Sequence, residues 1–123
     1  MEARDGFSIF VGSGGFFLAG LAVGCTGGTL AVANVLPAAC RRLMDAFFAG
    51  KLDEARTIQH RILLLNHSVT KGYGIPGLKT AVDAIGLYGG PCRLPLPELG
   101  NVQREEILEQ LTGTSLLEKE EWR

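Results

Sequence analysis

From Gly6 to Cys40 the chain carries no charged side chain, yet the same run holds eight glycines, and this pairing restricts the fold more than any other feature. So long an uncharged run belongs between layers of protein or in lipid, because open solvent gives apolar residues nothing to pack against. Nearly every charged residue follows Arg41, so the two parts of the chain meet different surroundings. With 123 residues, 12 basic and 13 acidic side chains and a net charge of −1, the chain is of one-domain length and has no summed field to draw it to nucleic acid or an anionic membrane. Cys25, Cys40 and Cys92 are odd in number and widely spaced, which encodes neither a disulfide framework nor a zinc site. The opening MEARDG mixes acid and base, unlike a secretory signal or an acid-poor transit peptide.

Inside the uncharged run, "GFSIFVG" (6–12) reads as a short strand buried on both faces, and "SGGFFLAGLAVG" (13–24) as a short packed helix with a glycine C-cap at Gly24. "GGTLAVANVLP" (27–37) reads as a second buried strand stopped by Pro37. Strand, helix, strand is the pattern of a parallel βαβ unit. Pro37 then opens a helix that runs to Gly50. A second helix follows, with Asp53 at its N-cap or in its first turn and an apolar stripe of Ala55, Ile58, Ile62, Leu65 and Val69. "YGIPGLKTAVDAIGLYGG" places Pro76 at another helix start. "PCRLPLPEL" is extended, and Asn101 caps a last helix carrying Ile107, Leu108 and Leu111 before the charged tail "LEKEEWR".

Gly12, Ser13, Gly14 and Gly15 resemble a phosphate-cradling loop, but a dinucleotide fingerprint needs a glycine near Phe17 and a P-loop needs Gly-Lys-Ser/Thr. Two readings stay open: a loop that lets a small anionic or carbonyl ligand approach the backbone, or glycines that only permit tight turns. Gly20, Gly24 and Gly28 keep the four-residue spacing of packed membrane helices, which makes a membrane span the rival reading. The glycine content, Asn34 and the lack of a Lys/Arg flank and aromatic belt on the first side speak against it. His60 and His67 lie seven apart without a Cys or carboxylate at ligand spacing, and read as solvated. Glu105 and Glu106, and Glu118, Glu120 and Glu121 in the tail, belong to charged surfaces rather than an apolar pocket, and Arg41 and Arg42 to a solvated helix face.

Three segments together, "FVGSGGFFLAGLAVGCTGGTLAVANVLP", "GKLDEARTIQHRILLLNHSVTKGYGIPGLKTAVDAIG" and "LYGGPCRLPL", resemble the C-terminal part of the dihydrodipicolinate synthase/N-acetylneuraminate lyase family from about Gly6 to Leu99. The GIPGLK and YGGPCR-PL patterns are most like its 4-hydroxy-2-oxoglutarate aldolase branch, which cleaves its substrate to pyruvate and glyoxylate. The resemblance implies an α/β chain, the C-terminal portion of a TIM (β/α)8 barrel: its last two strands with their helices, plus a C-terminal helical extension. The whole chain, 1–123, is then a single partial domain, with final βα units over about 6–50, the extension over about 51–117 and a charged tail over 118–123.

The family's reaction runs through a Schiff base between a lysine on the sixth strand and the ketone of a pyruvate-like substrate, with a tyrosine from an earlier strand relaying protons. Neither has a counterpart here. Lys51, Lys71, Lys79 and Lys119 lie downstream of the matching region, as do Tyr73 and Tyr88, so the resemblance assigns no catalytic residue to this chain. As substrate-binding residues it implies Gly12 and Ser13, after the seventh strand, and Thr29, on the eighth. Ser13 and Gly14 stand where family synthases carry acidic residues, which fits the aldolase branch. It implies no cofactor, no metal, no nucleic acid and no membrane; the expected partners are a small oxo acid and further copies in a homotetramer, and the expected location is mitochondrial, otherwise cytoplasmic. The chain is expected to be a fragment, truncated isoform or incomplete gene model, inactive alone. The alternatives are a dihydrodipicolinate synthase-like or 2-keto-3-deoxy sugar-acid aldolase, and a non-catalytic isoform that associates with full-length subunits.

Overall fold

Strand pairing in the computed structural model, which describes residues 6–117, is short and parallel: β1 (Phe10–Val11) lies beside β2 (Gly27–Gly28), with Phe10 opposite Gly27 and Val11 opposite Gly28. The Thr26 amide donates to the Ile9 carbonyl and the Thr29 amide to the Val11 carbonyl, at 2.9 and 2.8 Å, extending the contact at both ends. Between the strands, a 3-10 turn over Gly14–Phe16 leads into α1 (Phe17–Ala22), which stops at Gly24 with φ of +102°, a conformation that favours glycine. The expected strand, helix, strand order is present.

The second strand is shorter than the sequence implies. Pairing ends at Gly28, and Ala31–Asn34 form a 3-10 turn, closed by Asn34 Nδ2 donating to the Ala31 carbonyl at 3.0 Å. A continuous apolar run has no period to tell strand from buried helical turn. The turn lets Val32, Val35 and Leu36 all enter the core, where an extended strand would send alternate residues to opposite faces.

Pro37 stands at the first position of α2 (Pro37–Phe48), which closes at Gly50 with φ of +74°. In α3 (Leu52–His67) Asp53 falls in the first turn beside Arg56, and the N-cap position is Lys51. The stripe of Ala55, Ile58, Ile62, Leu65 and Val69 is buried as its spacing predicts. One π turn, Ser68–Gly72, joins α3 to α4 (Gly74–Ala84), the Tyr73 amide reaching the Ser68 carbonyl at 2.8 Å. Residues 91–99 form no regular element, as the prolines imply.

The last helix, α5, spans Asn101–Gly113, and its N-cap is Gly100 rather than Asn101. Gly100 has no side chain to cap the first-turn amides, and Gln103 instead reaches back, its Oε1 accepting the Gly100 amide at 2.8 Å. Ile107 and Leu111 are buried but Leu108 faces out, since it directly follows Ile107 and so stands about 100° further round the helix. The tail after Leu117 lies outside the described residues. One core joins both parts of the chain, from Val11, Phe17 and Leu21 through Leu43, Ile62 and Leu65 to Ile107 and Leu116.

Candidate functional site

Register and pleat together locate the three residues singled out by sequence. Val11 and Gly28 are paired on the face covered by α1: a Cβ on Gly28 would meet Phe17, and one on Gly20 would meet Val11. Phe10 and Gly27 therefore point to the other face, where the Phe10 ring lies across Gly27. Gly12 and Thr29 follow Val11 and Gly28, so they stand side by side at the C-terminal ends of the two strands, and both are exposed. Ser13 is next to them. The structure thus brings Gly12, Ser13 and Thr29 to one end of the sheet.

Their hydrogen bonds limit what each can offer. Ser13 is extended, with φ of −146° and ψ of 131°, and its Oγ accepts the Gly15 amide at 3.1 Å, which leaves the hydroxyl proton free to donate. The Thr29 amide is engaged by the Val11 carbonyl at 2.8 Å, so its hydroxyl remains as the donor for anything lying over the strand ends. At Gly12 a side chain would meet no atom within 4 Å, so the backbone is open to a ligand. The glycine-rich turn is no phosphate cradle: it has three residues, and Ser13 already satisfies one of its amides.

Gln59 holds this loop from behind. Its Oε1 accepts the Leu18 amide at 2.9 Å and its Nε2 donates to the Gly14 carbonyl at 2.8 Å, from a position 8% exposed on α3. Leu18 is in the first turn of α1, where amides have no partner within the helix, and Phe16 at the N-cap offers no side-chain acceptor. Asn66, two turns along α3 on the same face, packs so closely on Gly14 that a Cβ there would stand 2.6 Å from Asn66 Oδ1. That oxygen is buried without a hydrogen-bond partner. Sequence reading missed both side chains; the signal was two amides seven residues apart within a buried stripe.

The lysines, tyrosines and histidines among the described residues are engaged elsewhere or exposed. Lys79 donates to the Gly89 carbonyl at 2.6 Å. Tyr73 donates to Glu106 at 2.5 Å, and this bond, with burial and the glutamate's charge, raises the phenol's pKa above its ordinary value. His60, His67, Lys51 and Lys71 are exposed, and Lys119 lies outside the described residues. Among the described residues no three His, Cys, Asp or Glu side chains gather as metal ligands, and no helix is long and apolar enough to cross a membrane. Gly20, Gly24 and Gly28 fall in a helix, its terminating turn and a strand, so their spacing marks no single helix face.

Comparison with known proteins accounts for this arrangement. Residues 1–114 match the model of the dihydrodipicolinate synthetase family. The chain belongs to that family. A curated relative, the 4-hydroxy-tetrahydrodipicolinate synthase of Pelobacter propionicus, is 33% identical over 97 residues, covering 79% of this chain and 33% of the relative. The L-threo-3-deoxy-hexylosonate aldolase of Aspergillus niger is 32% identical over 118 residues, covering 96% of this chain and 35% of that protein. Among solved structures, a candidate dihydrodipicolinate synthase from Thermus thermophilus superposes with a TM-score of 0.80 at 38% identity, over 89% of this chain and 38% of that one. This family member thus spans about a third of the length of its curated relatives. Its fold is the C-terminal portion of a TIM barrel, with β1 and β2 as the last two strands, followed by a helical extension.

Proposed function

We propose that the chain forms the C-terminal third of a Schiff-base lyase for pyruvate-type oxo acids, with Gly12, Ser13 and Thr29 as part of the pocket that holds the substrate. The observation that carries this reading is the position of all three at the C-terminal ends of two adjacent parallel strands, where barrel enzymes build their sites. Ser13 offers a hydroxyl proton and Gly12 an open backbone, which suits a carbonyl or carboxylate oxygen. The nucleophilic lysine and the proton-relaying tyrosine come from earlier strands, so these residues alone catalyse nothing. The GIPGLK and YGGPCRLPL motifs favour 4-hydroxy-2-oxoglutarate as the substrate. A second reading, a synthase condensing pyruvate with an aldehyde, is favoured by relatives named as 4-hydroxy-tetrahydrodipicolinate synthases. Homo-oligomeric assembly and a mitochondrial location belong to the same proposal.

The test is borohydride trapping. The purified chain mixed with pyruvate and borohydride should keep its mass, whereas a hybrid of the Pelobacter propionicus synthase, with residues 6–117 in place of its own C-terminal third, should gain one reduced pyruvate adduct on a lysine of the synthase part. In the hybrid, Gly12→Val should fold, since that position is open, and should slow trapping at limiting pyruvate. An adduct on a lysine of the isolated chain, or unaltered trapping by the Gly12→Val hybrid, refutes the assignment.

A further inference from the structure

Between α4, residues 90–99 and the start of α5, away from the strand ends, lies a cavity of about 170 Å³. That is below the roughly 300–1,000 Å³ of pockets for drug-sized molecules, so it admits a group about as large as one amino acid. Lys79 and Asp83 line it from α4, and Glu98 and Arg104 from the other side. Each keeps bonding capacity for a ligand. Lys79 donates one of its three N–H groups to the Gly89 carbonyl at 2.6 Å, and Asp83 Oδ1 accepts the Gly89 amide at 2.7 Å, leaving Oδ2 free. Arg104 Nε donates to the Leu99 carbonyl at 3.0 Å, while its Nη2 stands 3.6 Å from Glu98, beyond hydrogen-bond range. Thr80 forms part of the same wall: it is 9% exposed, and its hydroxyl has no hydrogen-bond partner among the described residues. A buried hydroxyl at a cavity wall without a protein partner suits a polar occupant. Cys92, a free and partly exposed thiol, completes the lining.

We propose that Cys92 is a modification site, and that this cavity selects small zwitterionic disulfides of the amino-acid class to form a mixed disulfide with it. The class follows from the charges. Two cations and two carboxylates sum to zero, so a ligand of one sign meets as much repulsion as attraction. A zwitterion instead sets its carboxylate against Arg104 and Lys79 and its ammonium against Asp83 and Glu98. The chemistry is thiol–disulfide exchange. Cys92 Sγ gives up its proton and attacks one sulfur of the ligand; the new S–S bond forms as the ligand's own S–S bond breaks, and the departing half leaves as a thiolate that takes up a proton. The ligand is the oxidant: one half stays on Cys92 and the other is released as a reduced thiol. Cys25 is also partly exposed and lies outside this cavity, which makes it an internal reference. The proposal is independent of the lyase reading, because it uses no residue of the strand-end site.

The test gives the full, reduced chain L-cystine, which is zwitterionic, and in separate samples uncharged bis(2-hydroxyethyl) disulfide, cationic cystamine and anionic dithiodipropionate. Adducts on Cys92 and Cys25 are followed by peptide mass spectrometry. A reagent's intrinsic reactivity acts on both thiols, so the ratio of the Cys92 rate to the Cys25 rate reports the cavity. L-Cystine should give a ratio at least about 5-fold above the uncharged disulfide, the size expected of a pair of partly exposed charge contacts. Cystamine and dithiodipropionate should both fall below cystine. Arg104→Gln should bring the cystine ratio to within about 2-fold of the uncharged value, and Arg104→Lys should keep part of the selectivity. Should Arg104→Gln fail to fold by circular dichroism, Thr80→Val takes its place, since that hydroxyl has no protein bond to lose, and it should lower the cystine ratio. Equal ratios for all the reagents, a ratio highest with a reagent of one sign, or a cystine ratio unmoved by the folded variant overturns the proposal.

Discussion

Replacing Gln59 tests how the helical extension supports the strand-end loop. In Gln59→Leu the side-chain volume is nearly kept, but the Gly14 carbonyl and Leu18 amide lose bonds of 2.8 and 2.9 Å to an apolar group that cannot replace them. Each buried backbone group left without a partner costs about 1–3 kcal/mol. Extra apolar burial by leucine offsets part of this, so the expected loss is about 2–4 kcal/mol in denaturant unfolding, with the Leu18 amide exchanging faster than amides in the middle of α2. Gln59→Glu separates the two bonds. Its carboxylate can still accept from Leu18 but turns its second oxygen toward the Gly14 carbonyl, so the acid is favoured over the carboxylate and its folded pKa is raised. Stability relative to wild type is then fully present below the unfolded glutamate pKa of about 4.3 and is lost as pH rises through the folded value. A Gln59→Leu loss below about 0.5 kcal/mol with unchanged Leu18 exchange refutes the clamp, since surface substitutions give changes of that size.

Gly20→Ala drives a methyl into Val11 where β1 meets α1, so it should destabilise by about 1–3 kcal/mol despite alanine's better helix propensity, and Val11→Ala in the same chain should restore part of that loss in a double-mutant cycle. Burial pushes the Cys40 thiol up to about 11 from 9.0. Iodoacetamide should therefore modify Cys25 and Cys92, which are partly exposed, well before Cys40 in the native chain, and labelling of all three at equal rates would show the core open. The same burial makes the folded state hold the thiol proton more tightly than the unfolded state, so stability is full below about pH 9 and falls as pH rises toward 11, by at most about 3 kcal/mol.

Residues with a repeating period were legible in the sequence. The α3 stripe was fixed by three- and four-residue spacing, and Pro37, Gly24 and Gly50 mark real boundaries because each has a backbone reason to stand there. What lacked a period was misread: Leu30–Leu36 is apolar almost throughout, and only the tertiary environment turns it into a 3-10 turn that buries Val32, Val35 and Leu36 together. The site was half legible. Gly12, Ser13 and Thr29 carry a recognisable pattern, but their adjacency depends on the pairing of residues 17 apart. Gln59 and Asn66 were invisible as site-supporting residues because their partners are backbone groups in another element, which no side-chain motif records.

Three of the glycines share one physical origin with the uncharged run. Gly20 and Gly28 are small because Val11 and Phe17 occupy the space a Cβ would need, and Gly14 because Asn66 does. All three lie where a strand, a loop and a helix approach one another too closely for a side chain, and no charged group could be solvated in such a layer. Phe10 differs: it is as apolar as Val11 yet remains mostly in water in the described chain. The sequence makes both faces of β1 apolar, but helices of this chain cover only one. That mismatch between composition and coverage locates the barrel interior from this chain's own residues, and by the alternation of the pleat Thr29, one residue past Gly28, faces the same side.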